Sequence, residues 1–242
     1  MKEPEFYVGY VDRAPSGLAR LVGRTVIGLV LLAGVLATAL VFAQHPFAAS
    51  VFEYQKLRTF SGSIDAKPYP ALVVNGSERY LLVGQGKQGV GSSLSGLDSR
   101  VVDLRGALIY RGSNKAIEVL ESSIRPREGV ARETPAVELG SVTLAGEIVD
   151  TKCHFGVMNP GEGKVHRDCA VRCLSGGIPA GFLVTDRTAR SMTLLLADAD
   201  GRQPSREIVS YVGEPVEITG RLSRKGETFI LTAGPNSIER RR

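Results

Sequence analysis

Residues 102–112 read VDLRGALIYRG, and residues 216–226 read VEITGRLSRKG. Aligned without a gap, at an offset of 114, the two stretches carry similar apolar, acidic and glycine residues at the same positions. The matched pairs are Val102/Val216, Asp103/Glu217, Leu104/Ile218, Gly106/Gly220, Leu108/Leu222 and Gly112/Gly226. Self-similarity at a fixed offset predicts that one structural unit occurs twice.

A second offset aligns the beginning of the repeated unit. At an offset of 84, the residues Thr59, Phe60, Gly62 and Ile64 match Thr143, Leu144, Gly146 and Ile148. The difference between the offsets indicates that the second copy gained about 30 residues between its first and last strands. The alternative interpretation is that the two stretches share only a generic strand–turn–strand pattern.

Short apolar segments separated by glycine and polar clusters predict an all-β fold. Residues 72–84, LVVNGSERYLLVG, read as two strands joined by the Asn75-Gly76 turn. Each copy has the length and strand order of an OB-type barrel, a five-stranded Greek-key fold. We therefore expect two tandem OB-like barrels, at residues 57–128 and 141–242, with a linker at 129–140.

The extra residues of the second copy form a Cys/His insertion at residues 150–177. All three cysteines of the chain lie in it. Its second half, HRDCAVRCL, predicts a short helix that presents His166, Cys169 and Cys173 on one face. Cys153 lies across a Gly/Pro-rich loop. Three thiolates and one imidazole predict a Cys3His metal site for one zinc ion, with copper or iron as alternatives.

Other interpretations of the insertion remain open. On an ideal helix, His166 and Cys173 are about 10.5 Å apart along the axis, so either the imidazole reaches towards Cys173 or only some of the four bind. In an oxidising compartment Cys153 could instead pair with Cys169 or Cys173 as a disulfide. The thiols could also be buried without a role. His154 and Met158 are additional candidate ligands.

Residues 25–43 contain no charged residue and have the length of a membrane-spanning helix. Arg13, Arg20 and Arg24 precede this segment, so the positive-inside rule predicts a cytoplasmic segment at 1–24. A linker at 44–56 and both barrels would then lie outside the cytoplasm. In a Gram-negative cell the helix would be in the inner membrane and the barrels in the periplasm. The alternative is a signal peptide cleaved after Ala43.

The repeat and the insertion together resemble a group of exported bacterial proteins. The shared motifs are G-x-[IV] in the first strand, V-[DE]-[LI]-x-G-x-L late in the unit, and a Cys followed by His-x2-Cys-x3-Cys and GIPAGFL. In this sequence they resemble uncharacterised OB-like domains over residues 142–240. The resemblance implies the fold and the site, but no reaction.

These patterns favour a membrane-anchored, extracytoplasmic metal-binding protein. We expect it to be a subunit or accessory of a respiratory electron-transfer complex, with other membrane-protein subunits as its partners. The first alternative is a non-catalytic interaction subunit whose insertion is held by structural zinc or a disulfide. A thiol–disulfide enzyme or copper-handling protein is the second.

The sequence contains no recognisable catalytic motif, and the glycines of residues 84–89, GQGKQG, lack a βαβ context and predict a loop. Without tryptophan and with a thinly spread net charge of +5, nucleic-acid binding is not expected.

Overall fold

The computed structural model describes residues 14–43, 49–129, 131, 135–186, 188 and 190–241. Parts of the predicted cytoplasmic segment and of both predicted linkers lie outside these residues, as does Arg13. The described chain forms two compact units that divide at Phe47 and Ala48.

The described residues of the first unit form one helix, α1 (Ser16–Ala43). It begins before the predicted segment 25–43 and has 28 residues, which corresponds to about 42 Å of helix. The helix is long and apolar enough to cross a membrane, and its position near the N-terminus also fits a signal sequence.

The second unit begins with a closed five-stranded barrel. Its strands are β1 (Val51–Asp65), β2 (Ala71–Val74), β3 (Glu78–Val83), β4 (Val101–Arg111) and β5 (Asn114–Val119). They are ordered β1-β2-β3-β5-β4, and pairing of β1 with β4 closes the barrel. A short strand, β6 (Arg125–Arg127), adds to β4. Because β1 begins at Val51, it occupies part of the predicted linker 44–56.

A second closed barrel has the same strand order. It consists of β7 (Val137–Asp150), β8 (Ala180–Thr185), β9 (Ser191–Ala197), β10 (Pro215–Lys225) and β11 (Thr228–Thr232), with β12 (Ile238–Arg240) added to β10. The all-β fold with two barrels and one N-terminal helix, expected from the sequence, is confirmed. β7 begins at Val137, within the predicted linker 129–140.

The strand register is also the same in the two barrels. Gly62 pairs with Val102 between β1 and β4, and Gly146 pairs with Val216 between β7 and β10. The offsets of 84 and 114 carry the first pair onto the second. Duplication of one ancestral unit stays a prediction, and this shared register is what supports it.

The glycines of the repeat allow strands to approach closely. A Cβ atom at Gly146 would clash with the carbonyl oxygen of Leu183, and one at Gly220 would clash with that of Thr232. Gly62 and Gly106 have equivalent clashes in the first barrel. These positions therefore require glycine for steric reasons, which explains why the repeat is clearest at its glycines.

The two barrels pack against each other through an apolar interface. Successive residues of β3 alternate between two cores: Leu82 points into the first barrel, whereas Leu81 and Val83 belong to a larger cluster with Phe155 and Phe182 of the second copy. Because strand side chains alternate between faces, the outer face of β3 can be buried only by another part of the chain. The second copy buries it.

The insertion of the second copy lies at this interface. In the first barrel residues 66–70 connect the first two strands, whereas in the second barrel residues 151–179 do so. Near the start of this longer connection, Lys152 is 2% exposed. Its ammonium group donates to the carbonyl oxygens of Gly84 and Gly86, both at 2.7 Å, and lies 2.5 Å from Glu118 Oε2. All three partners belong to the first copy.

We predict that Lys152→Met lowers the free energy of unfolding by about 3–5 kcal/mol, because it leaves Glu118 and two carbonyl groups without their cation. Chemical unfolding of the full chain in detergent measures the change. Lys56→Met, at an exposed position on β1, is the matched control and should change stability by less than about 0.5 kcal/mol. Equal stability of the two variants would contradict the role assigned to Lys152.

Candidate metal centre

The predicted helix of the insertion is α2 (Arg167–Ser175), which follows His166. Its C-terminal end forms a Schellman motif: Ile178 N–H donates to Cys173 O, and Gly177 N–H donates to Leu174 O, both at 3.0 Å. Gly177 has a φ of 92°, which favours glycine. The motif fixes the end of the helix beside Cys173.

Cys153 lies on a separate π-helical turn, Cys153–Val157, that directly follows β7. The turn and α2 bring the four predicted ligands together in two overlapping groups. Ligand atoms of Cys153, His166 and Cys169 all lie within 4.8 Å of one another, as do those of Asp150, Cys153 and Cys173. Cys153 belongs to both groups. His166 belongs only to the first group and Cys173 only to the second. This separation agrees with the expectation that two residues about two helical turns apart do not easily bind the same ion.

The sulfur separations match those of a metal–thiolate site. Cys153 Sγ lies 3.9 Å from Cys169 Sγ and 3.9 Å from Cys173 Sγ. Tetrahedral zinc with Zn–S bonds of about 2.3 Å separates its sulfurs by about 3.8 Å. A disulfide requires about 2.05 Å, and the three cysteines are free thiols. The cluster could therefore hold a metal ion with little movement of its sulfur atoms.

Asp150 orients two of the candidate ligands. Its Oδ2 lies 3.0 Å from His166 Nε2, and its Oδ1 accepts a 2.8 Å hydrogen bond from the backbone N–H of Cys153. The carboxylate and the imidazole are both buried. A carboxylate that binds one imidazole nitrogen fixes the ring and leaves the other nitrogen for a metal. Asp150 thus has the features of an outer-shell partner, and it is also close enough to be a ligand.

The first barrel supplies a cation to the cluster. Lys87, from the GQGKQG loop after β3, places Nζ 2.6 Å from Cys169 Sγ and 3.8 Å from Cys173 Sγ. The loop contacts the end of α2, where Gly89 N–H donates to Gly176 O at 2.9 Å. A Cβ atom at Gly176 would clash with Lys87 O, so this approach depends on glycine. The site is therefore built from both copies.

Mutual hydrogen bonding shifts the pKa values of the cluster in opposite directions. The hydrogen bond shared with Cys173 and burial together raise the pKa of the Cys153 thiol. The same bond lowers the pKa of Cys173 against the effect of burial, and the charge of Lys87 adds to the decrease. The hydrogen bond to Cys169 raises the pKa of Lys87. Cys173 therefore loses its proton more readily than Cys153, and a metal that binds Cys153 must displace its proton.

The two additional candidate ligands differ in their surroundings. His154 is buried in another polar network, with Nδ1 2.7 Å from Glu162 Oε2 and Nε2 3.1 Å from Thr193 Oγ1. Its hydrogen bond to Glu162 lowers the pKa of that carboxyl group. His154 belongs to neither of the two groups of candidate ligands among the described residues. Met158 is 45% exposed, and its role as a ligand stays a prediction.

Sequence reasoning missed three residues of the site: Asp150, Lys87 and Lys152. An acidic residue at the end of a strand, three positions before Cys153, is a signal that could have identified Asp150. Lys87 and Lys152 carry no such signal, because their partners lie 82 and 68 positions away in the chain. Only packing of the two copies brings these groups together.

We predict that Asp150→Asn weakens zinc binding about 10–100-fold, since it replaces the carboxylate that orients His166. Competition of the full chain in detergent with a chelating indicator measures the zinc affinity. Asp168→Asn, which removes an exposed carboxylate in the first turn of α2, is the control and should retain the original affinity. A loss of equal size in both variants would show that general charge, and not orientation, is responsible.

No protein-family model and no curated protein sequence matches the chain.

Proposed function

We propose that this is a membrane-anchored, extracytoplasmic metal-binding protein whose Cys/His cluster holds one soft metal ion. The convergence of Cys153, Cys169 and Cys173, at sulfur separations suited to a thiolate-bound ion, carries the proposal. Zinc is the metal expected first, because three thiolates and an imidazole form a common closed tetrahedral site. The same soft donors also suit copper(I) and iron.

The charges around the cluster support binding of a cation. A zinc ion held by three thiolates and a neutral imidazole has a net charge of −1, because three negative charges exceed the two positive ones. The ammonium group of Lys87, 2.6 Å from Cys169 Sγ, offsets this residual charge. Burial of Cys153 and Cys173 excludes water from the inner side of the site. Such surroundings stabilise an ion once the thiol protons have left.

The anchor and its orientation form the second part of the proposal. Helix α1 has two arginines in its N-terminal part, Arg20 and Arg24, and no charged residue after Arg24. Cationic residues at one end of a span favour the cytoplasmic side. The barrels would then lie outside the cytoplasm, where the chain serves other membrane-protein subunits, as in a respiratory electron-transfer complex. A single anchor and a site for a soft metal support this role by analogy.

A structural role for the metal is the second candidate. Cys153, Cys173 and His166 are almost completely buried, and the insertion that carries them packs between the barrels. A closed site of this kind orders its segment and contributes to folding. Under this hypothesis removal of the metal lowers stability, and no redox change of the bound ion accompanies function.

We expect the full chain, purified in detergent without chelators, to contain about one metal ion. Cys153→Ser should reduce the metal content at least about tenfold, because Cys153 belongs to both groups of candidate ligands. Elemental analysis measures the content, and cobalt(II) substitution reports thiolate ligation by its charge-transfer absorption. Met192→Leu, at an exposed position on β9, is the control and should bind as the original does. Unchanged metal in Cys153→Ser would refute the proposed centre.

The orientation is tested separately. A phosphatase that folds only after export, fused after Arg242, should be active if the barrels lie outside the cytoplasm, because export then carries the fusion across. N-terminal sequencing distinguishes the anchor from a signal peptide: a mature chain that begins at Gln44 would show cleavage. An inactive fusion together with an active cytoplasmic reporter would reverse the proposed orientation.

A further inference from the structure

Lys87 and Cys169 are the accessible part of the cysteine cluster. Lys87 is exposed and Cys169 is half-buried, whereas Cys153 and Cys173 are buried. The 2.6 Å between Lys87 Nζ and Cys169 Sγ is much shorter than the 3.9 Å between Cys153 Sγ and either of the other sulfurs. The closest pair of reactive atoms in the cluster is therefore an amine and a thiol.

The backbone holds the two groups in this position. Lys87 lies between Gly84, whose N–H donates to Gln88 O at 2.9 Å, and Gly89, whose N–H donates to Gly176 O on the other copy. Cys169 is in the first turn of α2. Because both residues lie on hydrogen-bonded backbone, their approach does not depend on a flexible chain end. The nearby Lys152 has all three ammonium donors engaged elsewhere, so Lys87 is the amine that faces the sulfurs.

We propose that Lys87 and Cys169 form a covalent N–O–S crosslink, in which one oxygen atom bridges the lysine nitrogen and the cysteine sulfur. The oxidant is molecular oxygen: R–NH2 + R′–SH + O2 gives R–NH–O–S–R′ + H2O. The nitrogen and the sulfur each lose two electrons, and oxygen accepts four. One oxygen atom remains in the bridge, and the other leaves as water with the two hydrogens lost by the amine and the thiol; the third hydrogen stays on the nitrogen.

This crosslink requires less movement than a disulfide. A single bridging oxygen spans the present separation of Lys87 Nζ and Cys169 Sγ with ordinary bond lengths. A disulfide from Cys153 to either partner requires the sulfurs to approach from 3.9 Å to about 2.05 Å. Oxidation of cysteine also follows exposure. Cys169 is the most exposed of the three cysteines, so oxidant reaches it first.

The crosslink would act as a redox control on the metal site, a consequence that depends on the proposed function. A sulfur bonded to oxygen is no longer a thiolate, so the cluster loses Cys169 as a ligand. Reduction by four thiol groups, which become two disulfides and supply four electrons, restores the amine and the thiol and releases the bridging oxygen as water. The bond also connects the two barrels covalently, because Lys87 belongs to the first copy and Cys169 to the second.

Peptide mass analysis tests the crosslink directly. The metal-free full chain in detergent is exposed to air, its free thiols are alkylated to prevent exchange, and it is digested with trypsin near neutral pH. We expect cleavage after Lys87 to be blocked and peptide 80–100 to be joined to peptide 168–172, in which Cys169 is the only cysteine. The mass should equal the sum of the two peptides plus one oxygen atom minus two hydrogens, and dithiothreitol should remove the product.

Matched variants separate the crosslink from other oxidation. Lys87→Arg keeps the charge but lacks the primary amine, and it should yield no joined peptide. Lys164→Met removes an exposed lysine of the same insertion and should leave the product unchanged. Circular dichroism confirms that each variant is folded. Recovery of Cys169 as a free thiol, or in a disulfide with Cys153 or Cys173, would overturn the proposal.

A zinc-loaded sample distinguishes this inference from the proposed function. If zinc binds Cys169, the joined peptide should form in the metal-free sample and be suppressed in the zinc-loaded one. That pair of results supports both proposals. A joined peptide that forms equally with and without zinc supports the crosslink and contradicts zinc ligation by Cys169, while elemental analysis of the same sample tests the metal centre by itself.

Discussion

The buried ammonium group of Lys152 connects the two halves of this protein. A charge removed from water is tolerated only when polar groups surround it, and here two carbonyl groups and a carboxylate of the first copy do so. Two of these partners, Gly84 and Gly86, belong to the loop that also carries Lys87. The contact that satisfies Lys152 therefore also positions Lys87 beside the thiols. For this reason the candidate centre belongs to both barrels.

The insertion is ordered by what it packs against. A long connection between two strands loses considerable conformational entropy when it adopts one structure. Here the apolar outer face of the first barrel, including Leu81 and Val83, offsets that loss by packing against Phe155 and its neighbours. The shared core also explains why both barrels belong to one compact unit. The first copy thus supplies a packing surface and a cationic side chain to the second.

Within the cluster, each thiol has a different environment. Cys153 is central and buried, Cys173 has a pKa lowered by its hydrogen bond to Cys153, and Cys169 lies near the surface beside Lys87. Asp150 fixes the positions of Cys153 and His166 through two hydrogen bonds. A set of ligands held in advance by neighbouring groups favours metal binding, because little reorganisation is required. The same arrangement leaves one sulfur accessible to oxidant.

The two barrels, the apolar N-terminal helix and the grouping of the three cysteines with His166 could all be predicted from the sequence. These features depend on local patterns: strand alternation, glycines that permit close strand contact, an uncharged segment, and the spacing of His166, Cys169 and Cys173. Only the folded arrangement shows that Lys87 and Lys152 lie at the site, that Asp150 orients two of its ligands, and that His154 belongs to a different polar network. Contacts between residues far apart in the chain arise only when the barrels pack together, and no spacing in the sequence encodes such a contact.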